Sequence, residues 1–130
     1  MISESLGSRE AALAGRLGFL NTGSGVAAVR VYDGTRPASW ADTPTSVMLV
    51  SIPLANPAGV VASGQLVLDP EEPGLVSNSG LATWARVVNR NGDTAFDMDA
   101  GAAGSGAECI LTQTTLFAGG QVAITSAVLG

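Results

Sequence analysis

A chain of 130 residues is long enough for one domain that folds without a metal or a disulfide, and its single cysteine excludes an internal disulfide or a cysteine-based zinc cluster. The net charge is −5, and the six basic residues, all arginine, are scattered along the chain, so we expect no direct binding of nucleic acid. No apolar run approaches the ~18–20 residues of a membrane span, and charged residues near the start predict neither a secretory signal nor membrane attachment.

The shortage of charge is itself informative. Only 13% of the residues are charged and 46% are apolar, whereas in an average soluble domain about a quarter of all residues are charged. Exposed apolar area is a liability on a free monomer, so this composition favours a surface that is partly covered by partner subunits. The alternative is a surface covered by glycine, serine, threonine, asparagine and glutamine in place of charges.

The first twenty residues have a helical pattern. Ser8 is predicted to be the N-cap, and residues 21–23 are predicted to end the helix. Three glycines weaken the helix by about 1 kcal/mol each, so it must dock on its own domain or on a neighbouring subunit. We interpret residues 1–25 as a helical arm and hinge and expect docking mainly on a neighbour, because 21–25 is rich in glycine. One face of this helix carries leucines at helical spacing: Leu6, Leu13, Leu17 and Leu20.

From residue 26 onward the pattern is one of strands and turns. The Asp33-Gly34 and Asn91-Gly92 pairs are strong turn signals, and Pro53 is expected to end the second strand because proline donates no hydrogen bond to a sheet. Seven or eight short strands without intervening helices predict an all-β domain over 26–130, an antiparallel β-sandwich of jelly-roll or immunoglobulin-like topology. The predicted strands are 26–32, 46–54, 65–69, 81–89, 94–99, 108–112 and 121–129, with 115–117 as a short eighth.

The residues that most catalytic sites need are missing. The chain has no histidine and no lysine, which removes the usual general base, Schiff-base chemistry and the phosphate-binding lysine loop, so we expect no enzyme and no cofactor. Cys109 is predicted to be a buried, inert thiol. Asp97 and Asp99 fall on one face of a predicted strand; a solvated strand face is the favoured interpretation over a calcium site.

Aromatic side chains are few. Trp84 lies in the middle of a predicted strand and is expected in the core. Trp40 follows a proline in a predicted loop, where an interface anchor and local packing are equally good interpretations. Together with Tyr32, the two tryptophans are also candidates for a platform on which a sugar stacks.

One stretch resembles a known class of proteins. Residues 29–39, VRVYDGTRPAS, resemble the opening of small virion proteins of tailed bacteriophages, and the motif at 32–37 is the locally specific part. WARVVNRNGDTAFDMD at 84–99 is similar to their central hairpin, and AGGQVAITSAVLG at 118–130 to their final strand. The closest resemblance is to head decoration, or cement, proteins, which clamp major capsid proteins together.

The resemblance implies a β-sandwich or jelly-roll body that forms dimers or trimers, binds the major capsid protein and sits on the capsid surface after synthesis in the host cytoplasm. It brings no catalytic residues. The alternative function is a β-sandwich module of a phage tail or virion surface that binds a carbohydrate or a receptor. Our candidate interface residues are the leucine stripe of the arm, two residues of the motif and the loop tryptophan: Leu13, Leu17, Leu20, Tyr32, Arg36 and Trp40.

Overall fold

The computed structural model describes residues 5–129. Residues 1–4 of the predicted arm and residue 130 of the predicted domain lie outside this range. The elements are α1 (Leu6–Leu20), β1 (Ala28–Tyr32), β2 (Met48–Ala62), β3 (Gln65–Pro70), β4 (Gly74–Leu75), β5 (Gly80–Leu81), β6 (Trp84–Val88), β7 (Thr94–Gly101), β8 (Cys109–Leu111), β9 (Thr115–Leu116), β10 (Gln121–Val122) and β11 (Ile124–Leu129). No helix in the described part of the chain is long and apolar enough to cross a membrane.

The main sheet closes on itself. Its strands follow the order β1-β2-β3-β11-β8-β7-β6, and β6 pairs again with β1. All neighbouring strands are antiparallel except β7 and β8, which run parallel. The all-β class with a short N-terminal helix is therefore confirmed, but the main sheet is a seven-stranded barrel and not clearly the two-layered sandwich that we expected.

The long strand β2 makes this closure possible. The prediction that Pro53 ends the strand was wrong, because β2 continues to Ala62. Its first half pairs with β1 and its second half with β3, and the register shifts between Leu54 and Gly59. A side chain at Gly59 would collide with the carbonyl oxygen of Val67, so the strands approach here only because glycine has no Cβ.

The core lies where alternate residues of the barrel strands meet. Val29 of β1 lies between Ile52 of β2 and Val87 of β6, and all three side chains are fully buried. On the opposite face of β6, Trp84 and Arg86 donate hydrogen bonds to the carbonyls of Asp33 and Asp42, in the segment that follows β1. Two small ribbons, β4–β10 and β5–β9, add Val76, Leu116 and Val122 to the same core.

The helix begins earlier than the sequence suggested and ends where it suggested. Ser5, in an extended conformation, is the N-cap, and its hydroxyl oxygen accepts a hydrogen bond from the backbone N–H of Ser8 at 3.2 Å. Ser8, the predicted cap, therefore lies in the first turn. The predicted end is confirmed, since Asn21 is the C-cap and donates to the carbonyl of Leu17 at 3.0 Å.

The leucine stripe of α1 packs against the barrel of its own chain. Leu13 and Leu20 are buried in the core, and Leu17 packs against it from its edge. The carboxylate of Glu10 accepts from the N–H of Gly64 at 3.1 Å, and this bond fixes the start of the helix on the β2–β3 hairpin. The expectation that the stripe docks mainly on a neighbouring subunit therefore fails for Leu13 and Leu20, which are already fully packed.

The segment expected to act as a hinge is tied down as well. The side-chain oxygen of Asn21 accepts from the N–H of Ala58 at 2.9 Å. Further along, the backbone N–H of Gly25 donates to the carbonyl of Arg90 at 2.9 Å. In return, the side-chain Nε–H of Arg90 donates to the carbonyl of Gly25, also at 2.9 Å. A side chain at Gly23, whose φ is +117°, would meet Asn91. These contacts hold the helix and the barrel together as one packed unit.

Candidate interaction surface

The motif at 32–37 forms the corner at which the chain leaves β1. The ring of Tyr32 stacks on Trp84 of β6, with centroids 4.4 Å apart and an angle of 11° between the planes. The indole N–H of Trp84 donates to the carbonyl of Asp33 at 3.0 Å. Both rings are buried, so the predicted core position of Trp84 is confirmed, and Tyr32, a candidate interface residue, serves the fold.

The turn at Asp33-Gly34 does not lead directly into a hairpin. It opens into residues 33–47, which we call the corner loop. The carboxylate of Asp33 accepts from the N–H of Val47 at 2.8 Å, and the hydroxyl of Thr83 donates to the carbonyl of Gly34 at 2.7 Å. Gly34 has a φ of +70°, a left-handed conformation that glycine adopts without strain. The two ends of the loop are therefore closed against the barrel.

A buried ion pair supports the corner loop from below. The guanidinium of Arg86 donates to both carboxylate oxygens of Asp97, at 2.7 and 3.0 Å, and also to the carbonyl of Asp42 in the loop at 2.9 Å. The guanidinium carbon lies 5.6 Å from the ring centroid of Trp84. The hydrogen bond with Asp97 raises the pKa of Arg86 further above its ordinary value, although burial opposes this. Arg86 thus links the loop to β6 and β7.

This pair corrects one expectation about the acidic residues. The side chain of Asp97 is only 8% exposed and is committed to Arg86, so the interpretation of its strand face as solvated was wrong at this position. Asp99 is exposed, as expected, and its carboxylate lies 3.3 Å from the guanidinium of Arg36. The Asn91-Gly92 turn signal implied that Arg86 and Asp97 lie near each other on paired strands, although the register shift between Val87 and Val88 is not visible in the sequence.

Trp40 lies near the middle of the corner loop and is 62% exposed. Together with Phe19 of α1, which is 42% exposed, it lines a cleft of about 520 Å³. The carboxylate-bearing residues Asp42 and Asp93 line the same cleft, and Arg86 lies at its floor. The indole therefore presents most of its surface outward.

A second cleft, of about 350 Å³, lies between α1 and β7. It is lined by Arg16 and Phe19 of α1, by Thr94 to Asp97 of β7 and by Leu129 of β11. Phe96 lines this cleft and also a smaller one beside Trp40, so the three clefts are adjacent. We call the surface formed by Phe19, Trp40 and Phe96 the aromatic surface.

The aromatic surface replaces the predicted sugar platform. Tyr32 and Trp84 are stacked on each other inside the structure, which leaves Trp40 alone of the three predicted rings at the surface. Sequence reasoning missed Phe19 and Phe96. Phe19 lies off the leucine stripe of the helix, and a large apolar residue on the other faces of a helix is the signal that would have found it.

Other large apolar side chains are exposed on the two ribbons. Leu75, Leu81 and Phe117 are 65%, 55% and 66% exposed, respectively, and the same two chain segments, 74–81 and 115–122, carry all three. A smaller apolar surface lies on the β2–β3 hairpin. There Val60 and Val67 are directly opposite each other on neighbouring strands, and both are exposed.

Reactive and metal-binding groups are not concentrated at any of these surfaces. Cys109 is fully buried at the start of β8, as predicted, and burial raises the pKa of its thiol to about 12. Within residues 5–129, no three acidic or cysteine side chains come together as a metal-binding group.

Comparison with known proteins does not identify a relative. The sequence matches no protein-family model, and no curated protein or solved structure matches the chain.

Proposed function

We propose that this chain is a non-enzymatic structural subunit that binds other protein subunits through its exposed apolar surface. More specifically, we propose a capsid decoration, or cement, protein that binds the major capsid protein of a tailed bacteriophage and stabilises its shell. The observation that carries the proposal is that the chain exposes many large apolar side chains and has only six basic and eleven acidic residues.

The ribbons provide the strongest support for association. Complete burial of one leucine or phenylalanine side chain contributes about 1.5–3 kcal/mol, and Leu75, Leu81 and Phe117 are each more than half exposed. All three lie on the two chain segments that form the ribbons, and large apolar side chains exposed in this way are a liability on a free monomer. We therefore assign self-association, as a dimer or trimer, to the ribbons.

The capsid assignment rests on the resemblance of residues 29–39 to small virion proteins. In this chain the motif of that stretch, 32–37, forms the closed base of the corner loop, with Tyr32 and Asp33 bound to Trp84. A firmly based loop that presents Trp40 outward is suited to binding the surface of a shell, because a rigid aromatic anchor loses little entropy on binding.

A second candidate function is supported by the cleft between Trp40 and Phe19. An exposed indole beside carboxylates such as those of Asp42 and Asp93 is also an arrangement that binds sugars, through stacking and hydrogen bonds. Under this alternative the chain is a recognition module of a tail or virion surface. The two functions differ in the number of copies each particle would carry.

The first test is to count copies. Purified particles of the phage that encodes the chain are analysed by quantitative mass spectrometry against the major capsid protein. A cement protein is expected at a fixed ratio of the same order as the shell protein. A count of only a few copies per particle would support the recognition module, and complete absence would contradict both proposals.

The second test is self-association in solution. Sedimentation of the isolated protein is expected to give a dimer or trimer. The double variant Leu75→Ser/Phe117→Ser is expected to dissociate at least about tenfold more readily, with a change in folding stability within about 0.5 kcal/mol, because both side chains are exposed. Val60→Ser is the matched control, since it removes an exposed apolar side chain from a different surface. A protein that stays monomeric at high concentration would contradict this assignment.

A further inference from the structure

The strand β7 has a complete neighbour on only one side. It pairs with β6 from Thr94 to Asp99, whereas β8 pairs with it only at Ala100 and Gly101. Within the described part of the chain, the first half of β7 therefore has no strand on its β8 side. A barrel strand with such an open edge offers its backbone groups to another extended chain.

The direction of the open backbone groups follows from two hydrogen bonds. The N–H of Ala100 donates toward β6, to the carbonyl of Thr83, at 3.1 Å. The N–H of Asp99 points the other way and donates to the carboxylate of Glu108 at 3.0 Å. Because successive residues of a strand alternate, the N–H and carbonyl of Asp97 point away from β6, as those of Asp99 do.

The cleft of about 350 Å³ lies at this open edge. Leu129, at the end of β11, also lines it. At Leu129 the strand β11 still pairs with β3, but its pairing with β8 ends at Ala127. The cleft thus lies between β7 and the end of β11, in the place that a longer β8 would fill. Its volume is at the lower end of the roughly 300–1,000 Å³ typical of ligand pockets.

We infer that this cleft accepts an extended segment of another polypeptide, which adds a strand beside the first half of β7. The segment would exchange backbone hydrogen bonds with Asp97 and place alternate side chains against Phe19, Phe96 and Leu129. Four residues, matching Thr94 to Asp97, span roughly 13 Å in an extended conformation. The inference rests on the proposed function only in that the partner is a protein subunit.

Two features select this occupant. Backbone N–H and carbonyl groups at strand spacing complement the open edge, and a sugar does not provide them in that arrangement. Arg16, which is exposed at the same cleft, forms no ion pair with any residue in 5–129, so its charge favours an acidic side chain in the incoming segment. The expected ligand is therefore an extended segment with small apolar residues and one carboxylate.

The test uses the full chain and a synthetic probe, a capped hexapeptide of alternating threonine and valine with one terminal aspartate. The ¹H–¹⁵N spectrum of the labelled protein is recorded during titration. We expect a saturable shift of the Asp97 amide, together with slowed hydrogen exchange at that amide. The same peptide N-methylated on its central residues is the matched control and is expected to bind at least about fivefold more weakly, because it loses backbone hydrogen bonds.

The role of Arg16 has its own comparison. Replacing the aspartate of the probe with asparagine is expected to weaken binding to the unmodified protein about two- to fivefold at low salt. In Arg16→Gln, an exposed substitution that leaves the core intact, this difference between the two peptides is expected to disappear. A preference for aspartate that persists in Arg16→Gln would contradict the assignment of the carboxylate to this end of the cleft.

Three results would overturn the inference. The first is the absence of a saturable shift at Asp97, and the second is equal binding of the N-methylated peptide, which would mean an apolar groove without strand pairing. The third is a shift of the Asp97 amide that appears on self-association without peptide, which would mean that a second copy occupies the cleft. The copy count in purified particles is independent of all three, so failure of the capsid proposal and failure of this inference are distinguishable.

Discussion

Replacing Asp97 with asparagine would leave the guanidinium of Arg86 almost completely buried without its counter-ion. Arg86 is 6% exposed, and without Asp97 its remaining partners are the carbonyl of Asp42 and the face of Trp84. The asparagine side chain keeps one acceptor oxygen, but its amide group points donors at another donor. The substitution therefore removes both the charge and one of two hydrogen bonds.

The size of the effect follows from this burial. Removing one partner of a buried ion pair destabilises a protein by about 3–5 kcal/mol. Arg86 also lines the cleft beside Trp40, where water can reach its edge, so we expect the lower value, about 3 kcal/mol. For a domain of this length, that corresponds to a decrease of about 10 °C in the melting temperature.

The assay is urea unfolding followed by tryptophan fluorescence, with calorimetry as an independent measurement. The double variant Arg86→Leu/Asp97→Leu is the control, because it removes both charges together. We expect it to be clearly more stable than Asp97→Asn, since no unpaired charge remains buried. If Asp97→Asn unfolds within about 1 kcal/mol of the unmodified protein, or if the double variant is less stable than the single one, the ion pair does not support the loop as we argue.

Two further predictions concern Cys109 and the helix. Because burial raises the pKa of the Cys109 thiol from 9.0 to about 12, its contribution to stability is complete below pH 9 and is lost as the pH rises toward 12. Between pH 8 and pH 10 the free energy of unfolding of the unmodified protein is expected to fall by about 1.4 kcal/mol more than that of Cys109→Ala. Urea unfolding at each pH measures both values, and an equal decrease in the two proteins would contradict this prediction. Leu20→Ala is expected to cost about 2–5 kcal/mol, since Leu20 is fully buried in the core, whereas the exposed control Leu6→Ala is expected to cost far less. Thermal unfolding compares the two, and deletion of residues 1–20 is expected to destabilise the barrel itself; a truncated chain with unchanged stability would refute the docking of α1 on its own domain.

Several features were predictable from the sequence because they depend on residues close together in the chain. The end of α1 at Asn21, the turn at Asn91-Gly92 and the strands on either side of it are set by local turn and capping preferences. The burial of Trp84 and Cys109 follows from their place in apolar strands. The all-β class follows in the same way, from the number and spacing of the strands.

The candidate interaction surface was predictable only in part. Trp40 was identified because a tryptophan after a proline in a loop is conspicuous, but its neighbours Phe19 and Phe96 come from a helix and a strand far away in the sequence. The prediction that Tyr32 lies at an interface was wrong for the same reason. The ring that covers it belongs to Trp84, and only the pairing of β1 with β6 brings them together.

The sequence by itself determined the all-β class, the end of α1 and most of the barrel strands, since those preferences act over a few residues. It did not determine the start of α1 or the continuation of β2 past Pro53. The tertiary structure decided how the strands close, because β1 pairs both with β2 and with β6, which begins at Trp84, far along the chain. Whether Leu13 and Leu20 face a partner or their own barrel depended on that closure, which provides an apolar surface for the helix to cover. The open edge at Asp97 is likewise a property of the closed sheet, because a strand edge is open only when the neighbouring strand, here β8, is too short to reach it.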